Sequence, residues 1–217
     1  EFKAVPALHL GISMRSFRSE KLSLFVKNLL DNKPDKAAKL YNEFHEQYPI
    51  YVTRDFEKAK AWVRSKSRGT ERYGLLASSE GKRLRGEGIW VPTNINHAAW
   101  FLNGKDCVDS SYYMEVAASE FKVQGLEIDY SVVAWDADFR RENNMFAYYH
   151  FRGTAWQKVK IENRKHYLKN AYRVLLTRAR QGMVIYVPKG TDKEIDFTRA
   201  YNVYDGIFEY LLDCGVK

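Results

Sequence analysis

The sequence has no run of about 20 apolar residues, the length that a membrane-spanning helix requires. Residues 1–10 also lack the charged and then apolar pattern of a secretory signal peptide. Two cysteines, Cys107 and Cys214, are too few for a disulfide framework and predict free thiols. We therefore expect a cytoplasmic protein without a membrane segment. Because the chain does not begin with methionine, we interpret it as a piece of a longer protein.

The sequence also lacks the motifs of self-contained enzymes. It has no GxxxxGK[ST] phosphate loop, since Gly81-Lys82 has neither the upstream glycine nor a following serine or threonine. The dinucleotide fingerprint GxGxxG and the nucleophile elbow GxSxG are missing as well. The five histidines have no metal-ligand spacing with each other or with either cysteine, so no metal site is predicted.

What the chain does contain is enough apolar material for one large globular domain. Of its 217 residues, 45% are hydrophobic and 15% aromatic, which excludes global disorder. Lysine and arginine outnumber the acidic residues by 35 to 27, and the net charge is +8. This excess weakly favours a polyanionic partner such as nucleic acid.

Strand and helix patterns alternate along the chain. Strands are predicted at 7–12, 48–53, 73–77, 112–118, 131–134 and 183–187, and a hairpin arm at 144–153. Helices are predicted after N-caps at Ser19, Asp35 and Asp55, around 97–102, from Glu162 to a stop at Gly182, and near the C-terminus. This alternation predicts an α/β fold with a mostly parallel sheet, whose ligands would meet the carboxyl ends of the strands.

The segment V-L-L-T-R-A-R-Q-G-M-V-I-Y-V, residues 174–187, places Arg178 and Arg180 near a helix end and beside the sheet. Arginine suits phosphate because its planar fork makes bidentate hydrogen bonds. An ordinary basic last turn that complements the helix dipole explains the pair equally simply, and for the pair alone it is the favoured interpretation. The segment resembles motif VI of superfamily-one helicases, where T-R-A carries an arginine finger.

Two further segments resemble helicase motifs. S-E-F-K-V-Q-G-L-E-I-D, residues 119–129, is similar to motif V, and I-S-M-R-S-F-R-S, residues 12–19, is similar to motif IV, usually N-Y-R-S. Taken alone, the first is a tight turn between strands and the second a basic loop. The three segments occur in the helicase order, which makes the combined signal stronger than any one of them. Met14 and Ser13 depart from motif IV, and Arg18 is a rival for the role of Arg15.

Strings over nearly the whole chain, among them W-F-L-N, V-V-A-W-D-A-D-F-R and F-R-G-T-A-W-Q, resemble the Schlafen-group-3-like DNA/RNA helicase domain. The resemblance implies a three-layer RecA-like domain of the P-loop NTPase type, with helices on both faces of a mostly parallel central sheet. Residues 1–217 would be the single second (C-terminal) lobe, with an irregular insertion at 78–110. The N-terminal lobe, with the phosphate loop and the Mg²⁺ carboxylates, would be the missing partner, and this chain alone would be inactive.

The resemblance also implies roles for particular residues. Arg178 and Arg15 would be catalytic, because they would neutralise the γ-phosphoryl group of ATP bound with Mg²⁺ mainly on the other lobe. The nucleotide-binding set would be Gly125, Glu127, Arg15 and Arg178. The nucleic-acid-binding set would be Ser119, Gln124, Lys122 and Arg180, with help from Lys82, Arg83 and Arg85.

Other residues are assigned more weakly. Trp90, Trp100, Trp135 and Trp156 are candidates for base stacking, but core packing is the favoured role of each alone. Asp136 and Asp138 resemble a carboxylate pair for Mg²⁺, but turn residues after a strand explain them better.

Two alternatives to the motor lobe stay open. One is a nucleic-acid-binding module derived from a decayed motor, with no ATPase activity. The other is a structural domain that binds neither nucleotide nor nucleic acid. The sequence does not distinguish DNA from RNA.

Overall fold

The structure is a computed structural model that describes residues 17–217, with side chains from Glu20 onward. The strand predicted at 7–12 lies outside the described residues. The helices are α1 (Phe17–Leu30), α2 (Pro34–Asn42), α3 (Phe56–Lys66), α4 (His97–Leu102), α5 (Glu120–Val123), α6 (Glu162–Leu175) and α7 (Tyr201–Asp213). The strands are β1 (Ile50–Thr53), β2 (Tyr73–Ala77), β3 (Ile128–Ala134), β4 (Phe139–Glu142), β5 (Met145–Arg152), β6 (Ala155–Lys158) and β7 (Ala179–Tyr186).

Four strands form a parallel sheet in the order β1-β7-β3-β2. Strands β3 and β7 are adjacent in its centre, and Val132 of one pairs with Val184 of the other. Beside β2, Ala118 makes an isolated parallel bridge to Leu76 and so extends this edge. The predicted α/β fold with a parallel sheet is confirmed.

Two hydrophobic cores lie on the two faces of this sheet, because side chains alternate along each strand. Val133 and Ile185 point into the larger core, which the buried faces of α1, α2, α6 and α7 complete. Val132 and Val184 point into the smaller core, which contains Val63 of α3. Burial on both faces explains why β2 reads Y-G-L-L-A without alternation.

A second sheet is inserted between β3 and α6. Its strands β4, β5 and β6 are antiparallel, and β5 contains most of the arm predicted at 144–153. It packs through aromatic rings on the larger core: the Phe139 and Phe146 rings lie 4.3 Å apart, and those of Trp135 and Tyr172 4.4 Å apart. Strands β4 and β6 were missed because their residues are half exposed and polar on one face.

Some predicted boundaries were wrong. Gly182 does not stop α6, which ends at Leu175; it lies inside β7, where a Cβ atom would meet the Pro49 carbonyl at 3.0 Å. Residues 112–118 are not a strand but contain a 3₁₀ turn, Ser111–Tyr113, and isolated bridges. Asp35 is in the first turn of α2 rather than its N-cap, because Pro34 begins the helix. Asp55 caps α3 as predicted.

Tyr41 on α2 fixes the start of β1. Its buried hydroxyl accepts a hydrogen bond from the Ile50 amide at 2.7 Å and donates to the Ile50 carbonyl at 3.0 Å. Replacing it by phenylalanine leaves a buried amide and carbonyl without their partner, so we expect Tyr41→Phe to lower the free energy of unfolding by about 1–3 kcal/mol in urea titrations. Tyr201→Phe, at a half-exposed ring, is the control and should change it little. Equal stability of the two variants would contradict this account.

Candidate functional site

The segments that resemble motifs V and VI meet at the amino ends of the two central strands. Glu127 immediately precedes β3 and Arg178 immediately precedes β7. The Ile128 amide donates to the Arg178 carbonyl at 3.1 Å, which joins the two segments through the backbone. This is the opposite edge from the strand ends at which ligands were expected.

The turn 124–127 between α5 and β3 depends on Gly125. Its φ of +85° lies in the left-handed region that favours glycine. No heavy atom lies within 4 Å of the position that a Cβ would occupy there, so the turn presents open backbone to its surroundings. Glu127 is half-buried beside it.

Arg178 is the side chain that connects the turn to the end of α6. Its guanidinium donates through Nη1 to the carbonyls of Leu126 at 3.2 Å and Val123 at 3.5 Å. Through Nε it donates to the Val174 carbonyl at 3.1 Å. The side chain is thus buried, with 8% of the residue exposed. Its charge is surrounded by three carbonyl dipoles at this junction, which we call the 126–178 junction.

Arg180 lies on β7 next to this junction but has a different partner. Its Nη2 atom is 2.7 Å from Oδ1 of Asp129, while 57% of its side chain stays exposed. The carboxylate of Asp129 also accepts from the Arg72 amide at 2.7 Å and from Gln181 at 3.1 Å. Arg180 therefore presents a partly neutralised cation at the sheet surface.

The remaining predicted nucleic-acid residues are spread along α5. Ser119 is buried, and its carbonyl accepts from the amides of Lys122 and Val123 at the start of the helix. Lys122 is half-buried and Gln124 is exposed. The structure places Gln124 beside Gly125 and Ser119 at the opposite end of α5. Arg15 lies outside the described residues, so its distance from Arg178 stays unmeasured.

A groove of about 860 Å³ opens between α5, α6 and strand β5. Phe121 and Gln124 of α5 line one wall, and Tyr167 of α6 lies in another. Lys82, from the segment 78–110, lies near the carboxyl end of β2 and closes one end. The groove residues of α6 and β5 were not singled out from the sequence. Only Tyr167 could have been recognised in the sequence, because it lies off the apolar face of the predicted helix. In the structure it is 73% exposed.

The tryptophans and the other basic candidates are distributed differently. Trp100 and Trp135 are buried in the larger core, whereas Trp90 is 53% exposed. The Trp156 indole donates to the Thr198 carbonyl at 2.8 Å. Arg83 forms an ion pair with Asp196, and Arg85 is exposed.

Asp136 and Asp138 are buried at the carboxyl end of β3, where they anchor the structure. Asp136 accepts hydrogen bonds from the Ala137 and Arg83 amides and from the Tyr204 hydroxyl. Asp138 accepts from the Tyr172 hydroxyl at 2.6 Å through Oδ1. In the described part of the chain, no three histidine, cysteine or acidic residues are grouped so as to hold a metal ion.

Burial raises the pKa of Asp138 well above its ordinary value, and the neighbouring Asp136 carboxylate raises it further. The pKa of Asp136 is also raised by burial, although three donors stabilise its ionised form. The pKa of both carboxyls is thus raised, and that of Asp138 more strongly, because the neighbouring Asp136 carboxylate also disfavours its ionised form.

Comparison with known proteins gives one family match. The family model described as "Schlafen group 3, DNA/RNA helicase domain" matches residues 1–189. No curated protein matches the chain. A solved structure, the C-terminal domain of a possible DNA helicase from Lactobacillus plantarum WCFS1, is 15% identical with a TM-score of 0.37, over 90% of this chain and 94% of that one. A TM-score this low establishes no shared fold. Among the described residues, no helix has the length and apolarity needed to cross a membrane.

The raised pKa of Asp138 makes the free energy of unfolding depend on pH. Because burial raises the pKa in the folded state, the folded chain keeps a proton that the unfolded chain releases above about pH 4. The free energy of unfolding should therefore fall, by up to about 1.4 kcal/mol per pH unit, as pH rises from there through the raised pKa. Asp138→Asn mimics the protonated form and should flatten this slope in urea titrations at several pH values. The exposed Asp109→Asn is the control; an unchanged slope in Asp138→Asn would place the proton elsewhere.

The 126–178 junction should contribute to stability independently of any ligand. Lysine keeps the charge at position 178 but does not reproduce the guanidinium fork that reaches carbonyls on two segments. We expect Arg178→Lys to lower the free energy of unfolding by about 1–3 kcal/mol. Arg173→Lys, one helical turn earlier and exposed, should have little effect. Urea titration of the chain measures both, and a neutral Arg178→Lys would show that the carbonyl contacts are not needed for folding.

Proposed function

The chain belongs to the Schlafen group 3 DNA/RNA helicase domain family, and from this premise we propose that it is the second, C-terminal motor lobe of an ATP-dependent, superfamily-one-like DNA/RNA helicase or translocase. In this proposal residues 1–217 form one RecA-like domain with an insertion at 78–110. Its partners are an N-terminal RecA-like lobe of the same full-length protein and a DNA or RNA strand.

The observation that carries the proposal is the 126–178 junction. Two segments that resemble the nucleotide-facing motifs V and VI are about 50 residues apart in sequence, yet they start adjacent central strands. The guanidinium of Arg178 then hydrogen-bonds the turn that contains Gly125. A lobe that completes a nucleotide site across a cleft requires such a pairing of backbone turn and arginine.

The residues at the junction fit a nucleotide that is held mainly by the other lobe. ATP with Mg²⁺ supplies the phosphoanhydride bond whose hydrolysis drives movement. The open backbone at Gly125 would permit close approach of the nucleotide, and Glu127 beside it would accept hydrogen bonds from the ribose. Arg178, together with Arg15, neutralises negative charge that develops on the transferring phosphoryl group.

The buried position of Arg178 adds a step to this role. Its guanidinium must exchange the carbonyls of Leu126 and Val174 for phosphate oxygens when the lobes close. Phosphate oxygens accept from arginine in bidentate, oppositely charged pairs that neutral carbonyls cannot form, so the exchange would favour the closed state. Release of Arg178 from these carbonyls would thereby couple closure of the two lobes to the conformation of the turn 124–127.

The nucleic-acid strand would lie along α5. Gln124, Lys122 and Arg180 would contact it from the surface, and Ser119 would support the start of the helix. Contacts of this kind to the phosphate backbone depend on salt and not on base sequence.

A second candidate is a nucleic-acid-binding module that has lost its motor. It is favoured by the same carbonyl contacts, because an arginine buried in the fold without a nucleotide needs no catalytic role to explain it. The net charge of +8 supports nucleic-acid binding in both cases.

The test is ATP hydrolysis by the full-length protein, with and without single-stranded DNA or RNA. We expect stimulated hydrolysis in the wild type and a loss of kcat of about 10³-fold or more in Arg178→Ala, the lower end of what an arginine finger contributes. Arg178→Lys should fall almost as far, since lysine lacks the planar fork.

Rates are compared at a temperature at which all variants are folded by circular dichroism, so that lost stability is not counted as lost catalysis. Arg173→Lys should hydrolyse ATP at the wild-type rate. Wild-type activity in folded Arg178→Ala would remove the arginine-finger role. Binding of nucleic acid by the full-length wild type without any hydrolysis would favour the module that has lost its motor.

A further inference from the structure

The groove between α5, α6 and β5 exposes large aromatic side chains. Phe121 of α5 is 71% exposed and Tyr167 of α6 is 73% exposed, and both line this groove. Helices α5 and α6 pack against each other, so the two rings belong to one continuous surface. On the facing strand β5, the buried Tyr149 and the half-buried Phe151 also line the groove. Exposed aromatic rings gathered in one groove indicate a binding surface rather than a solvated face.

The charges in the groove favour an anion. Arg152 and Arg164 line it, and neither guanidinium has an acidic partner among residues 20–217. The two acids of the lining are already engaged. Glu120 is buried and accepts from the amide and hydroxyl of Ser79 at 2.9 and 2.6 Å. Glu80 lies 3.9 Å from the Lys82 ammonium. Because Ser79 is neutral, Glu120 keeps its charge, and the lining carries three cationic side chains, of Lys82, Arg152 and Arg164, against these two carboxylates.

Rings and guanidinium groups together fit one class of ligand best. An unpaired nucleic-acid strand presents flat base faces and a phosphate at every nucleotide, and base stacking on aromatic side chains contributes about 1–3 kcal/mol per base. A duplex hides those faces inside its own stack. At about 860 Å³ the groove is also within the size range of ligand-binding clefts.

The groove is adjacent to the 126–178 junction. Gln124 lines the groove and is followed directly by Gly125. Val174 also lines it, and its carbonyl accepts from Nε of Arg178. A ligand in the groove would therefore contact Gln124, the residue before Gly125. It would also contact Val174, whose carbonyl accepts a hydrogen bond from Arg178.

We propose that this groove binds an unpaired DNA or RNA strand, with bases stacked on Phe121 and Tyr167 and phosphates bound by Arg152 and Arg164. The inference rests on the proposed function, which it deepens by assigning the strand to a particular groove. Occupancy of the groove would be sensed at Gln124 and Val174, and so at the arginine of the junction.

Binding is measured by fluorescence anisotropy of labelled oligo(dT) and oligo(rU), and of an abasic oligomer of equal length, at fixed salt. Both the chain and the full-length protein are tested. We expect Phe121→Ala/Tyr167→Ala to weaken oligo(dT) and oligo(rU) binding at least about 10-fold, because two stacking contacts are lost. The abasic oligomer should change little. Arg152→Gln/Arg164→Gln should weaken all three and reduce the salt dependence.

Matched controls are Phe197→Ala, an exposed ring outside the groove, and Arg68→Gln, an exposed cation between α3 and β2. Both should bind as the wild type does. If the wild type binds unpaired strands and the groove variants bind equally well, the groove assignment is wrong while the proposed function stands. If the wild type binds no oligomer and the full-length protein does not hydrolyse ATP, the proposed function fails and the groove assignment fails with it.

Discussion

A single buried guanidinium joins the end of α6 to the turn before β3. Arg178 donates to carbonyls of α6 and of the turn before β3, and its own carbonyl accepts from the first residue of β3. A buried cation is stable only where polar partners compensate for lost hydration. The position of the turn 124–127 therefore depends on the arginine, and the position of the arginine depends on the turn.

In the proposed function, this mutual dependence would connect the nucleotide side to the groove. The carbonyls that hold Arg178 belong to Val174, Leu126 and Val123, and Val174 also lines the groove. A ligand that draws the arginine away leaves these carbonyls without their donor and permits the turn to move. Coupling between two sites needs such an element with two arrangements that both ligands influence. In the proposed function this element is the four-residue turn 124–127, which lies between the two proposed sites.

The sequence predicted the parallel sheet because strands buried on both faces read as unbroken apolar runs, as in Y-G-L-L-A and M-V-I-Y-V. It did not predict the antiparallel sheet, whose edge strands are half exposed and have no continuous apolar pattern. Gly182 was wrongly interpreted as the end of a helix. A small residue is needed there because the Pro49 carbonyl, distant in sequence, lies close to the backbone at this position. The candidate residues Gly125, Glu127 and Arg178 came from motif resemblance. Their convergence at one edge of the sheet is a property of three-dimensional strand order.

The groove was the part least accessible to sequence reasoning, and the cause is physical. Its walls come from α5, α6 and β5, and its end from residues near β2, so that no local pattern contains it. Phe121 and Tyr167 look like ordinary helical aromatics until their exposure is known. Arg152 and Arg164 look like surface charges until the acids near them are seen to be engaged elsewhere. A surface of this type consists of side chains that remain without partners after the chain has folded. Which side chains these are can be read only from the three-dimensional structure.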